Sequence, residues 1–290
     1  MDHFLTLAAL NALPTLEFAA VVAPVFENAP WVTDGLAAMR PFTSLTVLHA
    51  AMMARLHRAT EAEQLGFLRG HPVLSPRTLL SGTTKESMTE QRSAGIHAMD
   101  AAAAARLDDA NAAHMARFGF PFILAVRGAT AATISAAMDR RATATPAAEH
   151  AEALREVEAI AWMRLLDRVC PAPSGGISLH VLDTARTRPA AGLAGELWHS
   201  PADADARCMA RFVTDDGGRV PSQLSGGGLA AGAYEWRLDT AAYFAASGLA
   251  TPDRSFLPIV VVRFAVANPE QHFHVPVLLA GGSYTTYRGS

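Results

Sequence analysis

The sequence predicts two domains, an all-α helical bundle followed by an all-β sandwich that carries one short helix. Three observations lead there. From Leu5 to about Val169 apolar residues recur three and four apart, alanine is abundant, as in Ala101 to Ala105, and strand-type alternation is absent. Beyond Ile177 the pattern changes to short alternating or β-branched segments separated by turns. Between the two stands PAPSGG, Pro171 to Gly176, whose proline and glycine content ends a helix and makes a linker. The 290 residues, half of them hydrophobic, provide for two ordinary domains. The boundaries expected are 1–169 for the helical domain, 170–176 for the linker and 177–290 for the sandwich.

Taken in order, Thr43 precedes SLTVLHAAMMARLH as an N-cap candidate, and Ser87 with Glu90 has the spacing of a capping box. In RFGFPFILAVRG, Arg117 to Gly128, Pro121 blocks a helix and Gly119 allows a positive φ. The chain can therefore turn sharply there and leave the backbone N–H groups of Ile123 to Val126 facing a ligand. The three phenylalanines suit a buried plug equally well. An amphipathic stretch from Ala147 to Val169 then leads to the linker. The second half offers ISLHVL, GELWHS, RCMARFVT, AYEWRL, LPIVVVRFAV and HFHVPVLL as strands, with HSPADADARC, His199 to Cys208, as a loop. One helix, Thr240 to Ser247, follows Asp239 as N-cap and stops at Gly248, while Gly226 to Gly228 is a loop.

Several classes of function are set aside by composition. The 24 basic and 27 acidic residues give −3, with the signs interspersed, so no nucleic-acid partner is expected. Two cysteines, Cys170 and Cys208, form neither a CxxC motif nor a disulfide framework and fit a reducing compartment. The single lysine, Lys85, would have to serve any Schiff-base chemistry. No apolar run approaches the roughly 18 residues of a membrane span. The first residues carry no basic n-region and the last are RGS rather than SKL, so a cytoplasmic location is expected.

In the first half HPVL (His71 to Leu74), SMTEQRSAGI (Ser87 to Ile96) and the FGFPF string, with PWVTDGLAAMRPF (Pro30 to Phe42), resemble the 2-oxo-4-hydroxy-4-carboxy-5-ureidoimidazoline (OHCU) decarboxylase family over residues 3 to 167. The resemblance implies an all-helical domain in which His71 is the catalytic acid/base group and Glu90 acts beside it. It further implies that Pro72, Ser87, Gln91, the backbone of Ile123, Leu124, Ala125 and Val126, and Arg127 hold the substrate. The chemistry suits these residue types. Loss of CO2 next to a carbonyl leaves an enolate-like carbanion, which needs donors where charge develops and a proton delivered to one face. No cofactor is required when the ring carbonyl accepts the electrons. Where the family usually has an acidic residue two after the histidine, an alanine before it and a tyrosine ahead of FGFPF, this chain has Val73, Gly70 and His114.

In the second half His180 shares a strand face with Ser178 and Leu182, and His272 shares one with His274, Pro276 and Leu278. These imidazoles fit a polar stripe, a zinc site, or a metal-free site in which Arg219, after TDDGG, helps a histidine activate water. HVLDT with RTRPA, FVTDDGGR, HFHVP and the terminal YRGS resemble 5-hydroxyisourate hydrolase, the enzyme branch of the transthyretin family, over about residues 176 to 290. The resemblance implies a transthyretin-like sandwich with His180, Arg219, His274 and Ser290 as catalytic residues. Tyr287, Arg288, Gly289 and His272 would bind substrate, no metal takes part, and the sites form between subunits of a homotetramer.

The product of the hydrolase is the substrate of the decarboxylase. A fusion raises the effective concentration of the second site around the first, and together the resemblances imply conversion of 5-hydroxyisourate through OHCU to (S)-allantoin and CO2. The partners expected are these small molecules. Two alternatives stay open: a chain in which only the hydrolase is active, and a transthyretin-like carrier of small ligands, against which the His, Arg, His and YRGS set argues.

Overall fold

The computed structural model describes residues 5–75, 87, 90, 96, 99, 101–127, 129–171, 175–201, 205–220, 229–246 and 256–289. The chain divides into two compact units, Met1–Cys170 and Pro171–Ser290.

The described helices of the first unit are α1 (Leu7–Ala12), α2 (Thr15–Val22), α3 (Leu45–Arg58), α4 (Glu61–Arg69), α5 (Ala101–Phe118), α6 (Ala131–Arg141) and α7 (Pro146–Leu166). The cap of α3 is Ser44 rather than Thr43, because it is the Ser44 hydroxyl that accepts from the N–H of Val47. A full capping box joins Thr60 and Glu63 at the start of α4. Along α7 the buried residues Ala153, Leu154, Val157, Ile160, Ala161, Arg164 and Leu165 recur three and four apart, the stripe of a helix lying on a core. That core includes Leu10, Phe18, Leu45, Leu48, Met52, Leu56 and Leu68.

The unit is not purely helical. Strand β1 (Leu5–Thr6) pairs in parallel with β2 (Val169–Cys170), so the chain on leaving α7 runs extended against the residues before α1, with Val169 fully buried. Cys170 therefore belongs to the first unit and not to the linker. At the end of α5, Gly119 adopts φ +80° and its N–H reaches the Met115 carbonyl (2.9 Å), the left-handed stop that glycine tolerates. Residues 121–126 follow without helical structure. Phe122 and Val126 pack there into a smaller core with Leu74, Leu107, Ile134 and Met138.

The second unit has two four-stranded sheets. One has the order β10 (Ser283–Thr286), β9 (His272–Ala280), β3 (Gly176–Asp183) and β4 (Arg188–Pro189); the other has β6 (Arg207–Val213), β5 (Ala194–Ser200), β7 (Gly232–Asp239) and β8 (Ile259–Val266). Among the described strands of this unit, only β3 and β9 pair in parallel. Alternate residues of both sheets, among them Ile177, Leu179 and Val181 on β3, Phe273, Val275 and Val277 on β9, and Trp236 and Val262 opposite, form a single buried cluster. All six expected segments are strands. The stretch read as a loop is shorter than expected, since His199 and Ser200 end β5 and Arg207 and Cys208 begin β6, where cross-strand pairing extends the hairpin. The helix of this unit is α8 (Thr240–Ala246), capped by Asp239, whose Oδ1 accepts from the N–H of Ala242 (3.0 Å). Gly248 and Gly226 to Gly228 lie outside the described residues.

Both Cys170 and Cys208 are free thiols. No helix among the described residues is long and apolar enough to cross a membrane.

Candidate active sites

In the first unit His71 emerges directly after α4, its N–H on the Leu68 carbonyl (3.2 Å) and its ring edge-on to Phe67. Nδ1 is buried and has no partner among the described residues. Burial, helped by the nearby positive charge of Arg164, pushes the imidazole down to about 4. The ring is therefore neutral at pH 7. It lines a cavity of about 30 Å³ with Pro72, Ser87, Glu90, Ile123, Leu124, Val126 and Arg164.

Arg164 organises the polar side of this cavity. Its Nε donates to Glu90 Oε1 (3.0 Å), and its Nη2 donates to Glu90 Oε2 (2.9 Å), Ser87 Oγ (2.9 Å) and Glu27 Oε2 (3.4 Å). The Ser87 hydroxyl in turn donates to Glu27 Oε2 (2.8 Å). Burial disfavours the guanidinium charge, but Glu90 and Glu27 outweigh it and hold Arg164 above its ordinary value. The Ser87 hydroxyl is thus bound to both Arg164 and Glu27, and the Glu90 carboxylate to Arg164.

The loop after FGFPF supplies backbone donors, though not from a helix start. Pro121 opens a stretch without regular structure over residues 121–126, and the next helix starts at Ala131. The Ala125 N–H is taken by Glu156 Oε2 (2.9 Å), while the N–H groups of Ile123, Leu124 and Val126 have no partner among the described residues. Neither Ala125 nor Arg127 lines the cavity. Arg127 turns to the Asp167 carboxylate at the end of α7 (Nη1 to Oδ1 2.9 Å). Beneath the loop, Arg141 donates to the Ile123 carbonyl (2.8 Å) and to Glu149, and Glu149 also meets His114 Nε2 (2.8 Å). His114, with Nδ1 on the Phe120 carbonyl (3.1 Å), thereby anchors the string that the sequence singled out. Gln91 lies outside the described residues.

In the second unit the register of β3 and β9 sets Ser178 opposite His274 and His180 opposite Pro276. Since Ile177, Leu179, Phe273 and Val275 point into the core, Ser178, His180, His272 and His274 project together from the other face. The Asp215–Arg219 turn closes onto His180 through a bridge between His180 and Arg219. Gly218, at φ +70°, lets the Val181 N–H reach its carbonyl (2.8 Å); a Cβ there would sit 2.3 Å from the Val181 carbonyl oxygen. From the other side Gly289 donates its N–H to the His274 carbonyl (2.9 Å), and a Cβ on it would come within 2.5 Å of the His274 ring. Glycine at this position allows the YRG segment to lie against the imidazole.

Burial, then the charge of Arg219, depresses the basicity of both His180 and His274, with His180 and His272 adding to the effect on His274. Both rings are poised to accept a proton. His274, Phe273, Tyr287 and Arg288 line a cavity of about 250 Å³ together with Arg263 and Phe264. Arg288 lies over the Phe273 ring and donates to Gln271 (3.1 Å). Ser290 is outside the described residues. Among the described residues no three His, Cys, Asp or Glu side chains gather as a metal-binding group.

Comparison with known proteins matches both halves. The OHCU decarboxylase model covers residues 11–166 and the HIUase/transthyretin family model covers residues 177–289. The chain belongs to both families. It is 36% identical over 166 residues to the OHCU decarboxylase of Haloferax volcanii, a span of 57% of this chain and 97% of that relative. It is 44% identical over 119 residues to 5-hydroxyisourate hydrolase 2 of Rhizobium meliloti, 40% of this chain and 98% of that one. The crystal structure of (S)-allantoin synthase superposes with a TM-score of 0.80 at 32% identity, covering 99% of this chain and 100% of that one.

Against these families, the structure gathers most of the expected residues and adds others. His71, Pro72, Ser87, Glu90, Ile123, Leu124 and Val126 come together in the decarboxylase unit, and His180, Arg219, His272, His274 and Gly289 in the hydrolase unit. Arg164, Glu27 and Ser178 were not among the expected site residues. Arg164 had a sequence signal: it is the one charge within IAWMRLL, on the apolar stripe of its helix.

Proposed function

We propose that this chain performs two consecutive steps of urate degradation, hydrolysis of 5-hydroxyisourate to OHCU and stereospecific decarboxylation of OHCU to (S)-allantoin and CO2. The correspondence with (S)-allantoin synthase over 99% of the chain carries this reading.

In the hydrolase unit a neutral histidine, His180 or His274, takes a proton from water while Arg219 stabilises the anionic nucleophile. The hydroxide adds to the cyclic amide carbonyl, and the partner histidine returns a proton to the departing nitrogen. Tyr287, Arg288 and Ser290 complete the cleft, with His272 beside it. The two sheets act as the faces of a transthyretin-like sandwich, assembled as a tetramer whose cleft is shared between chains, in the cytoplasm.

In the decarboxylase unit exchange of a carboxylate for a C–H bond consumes one proton. His71 is neutral before substrate arrives because burial and Arg164 disfavour its charge. An anionic substrate offsets Arg164 and raises the proton affinity of the ring, so His71 becomes loaded when it is needed and delivers the proton to one face. The unpartnered N–H groups of Ile123, Leu124 and Val126 meet the oxygen on which charge develops. Glu90, oriented by Arg164, and Ser87, Gln91 and Pro72 hold the ring.

The test is to generate hydroxyisourate with a urate oxidase, add the intact chain, and follow ultraviolet absorbance for its loss and circular dichroism for (S)-allantoin. Accelerated loss with rapid growth of the dichroic signal is expected. Accelerated loss without that signal would leave a hydrolase alone, and no acceleration would leave neither reaction.

A further inference from the structure

Ser178 stands on β3 in register with His274 on β9, and its hydroxyl oxygen lies 2.9 Å from His274 Nδ1 and 2.9 Å from His272 Nε2. A serine hydroxyl carries one proton and can donate to only one of these nitrogens; from the other it has to accept. The two rings consequently play opposite roles toward Ser178. His272 is the exposed member of the pair, whereas His274 is partly covered and meets Gly289. His274 Nε2 has no partner among the described residues, and it is the atom available to a reacting water.

For His274 to accept a proton at Nε2, its single ring proton has to reside on Nδ1, from which it donates to Ser178. Ser178 then donates to His272. We propose that Ser178 is a positioning residue of the hydrolase site, holding His274 as the Nδ1–H tautomer and linking it to the exposed His272 as a proton outlet. The proton count closes. Water gives a proton to His274 Nε2, the Nδ1 proton passes to Ser178 Oγ as the serine proton passes to His272 Nε2, and the positive charge ends on the ring that solvent reaches. Arg219 and His180, which face His274, disfavour retention of that charge on the inner ring, and Asp215 acts on the His180 side. The choice of the Nδ1–H tautomer rests on the hydrolase reading above, whereas the geometry by itself requires that one ring donates to Ser178 and the other accepts from it.

The experiment is nitrogen-proton correlation spectroscopy on the full chain labelled with ¹⁵N-histidine, paired with hydroxyisourate kinetics. In the parent protein His274 and His272 should both carry their ring proton on Nδ1. In Ser178→Ala the His274 proton should move to Nε2 and kcat should fall about tenfold with KM unchanged. Ser178→Thr, which keeps the hydroxyl and adds a β-branched side chain suited to a strand, should restore both. An Nε2–H tautomer at His274 in the parent protein, or an unchanged tautomer and rate in Ser178→Ala, would overturn the proposal. A parent protein that does not hydrolyse hydroxyisourate would contradict the functional reading, while the spectra would still decide the role of Ser178.

Discussion

Arg164 and Glu90, 74 residues apart in the chain, form a bidentate ion pair in which Nε and Nη2 each reach a carboxylate oxygen within 3.0 Å, and both residues are buried. Removal of one member of such a pair leaves a charge without compensation in a place water does not reach. Arg164→Met should therefore destabilise the helical unit by about 3–5 kcal/mol, because Glu90 and Glu27 would both lose their ion pair with Arg164. Glu90→Gln keeps a hydrogen-bonding shape and Glu27, and should cost less. Urea unfolding followed by the helical dichroic signal measures both.

That pair also shows which features were legible from sequence. HPVL, FGFPF, TDDGGR and HFHVP are local strings whose chemistry is carried by neighbours in the chain, and alternation was enough to put Ser178 with His180 on one face of β3 and His272 with His274 on one face of β9; the parallel register that joins the two pairs is a property of the fold. Arg164 and Glu27 act on Glu90 from distant parts of the chain, and helix periodicity alone does not tell a buried cation from a solvent-facing one. The parallel pair Leu5–Thr6 with Val169–Cys170 was hidden for another reason: two residues are too few for alternation to register. Arg127 and Ala125 were expected at the site through the family resemblance of their string. Their partners Asp167 and Glu156, both outside the string, draw them away.

His71 makes the helical unit sensitive to acid. In the folded chain it resists protonation until about pH 4, whereas in the unfolded chain it protonates near 6.5. Between those values the unfolded state binds more protons, so stability is full above about pH 6.5 and declines as pH falls toward 4. His71→Asn should flatten part of that decline while matching the parent trend above pH 6.5. The urea midpoint measured across pH 4 to 7 for both proteins checks this.

Gly289 is placed where a side chain would strike His274. Gly289→Ala adds a methyl 2.5 Å from the ring carbon Cδ2 and should displace the terminal segment or the imidazole by about an ångström, enough to lower hydrolase turnover by about a hundredfold. The unfolding transition of the β unit should be unaffected, since Gly289 lies outside its buried cluster.

Arg219 depresses the basicity of His180 and His274. Without that charge both rings hold their protons to higher pH, and less of the free base is present at neutrality. Arg219→Met should move the acid limb of the hydrolase profile upward, in addition to lowering its plateau, and Arg219→Lys should leave the limb nearer the parent position. Initial rates against pH for the three proteins separate the electrostatic effect from loss of contact.

Independent chemistry in the two units is tested most directly by comparing the intact chain with His71→Asn and His274→Asn in one assay that follows hydroxyisourate loss by absorbance and (S)-allantoin by circular dichroism. His71→Asn should consume hydroxyisourate at the parent rate and form (S)-allantoin at least about a hundredfold more slowly. His274→Asn should lose the accelerated consumption yet still decarboxylate OHCU formed by spontaneous hydrolysis or by a separate hydrolase. If His71→Asn forms (S)-allantoin as fast as the parent, or His274→Asn still accelerates hydroxyisourate loss, the assignment of the two steps to these two sites is wrong.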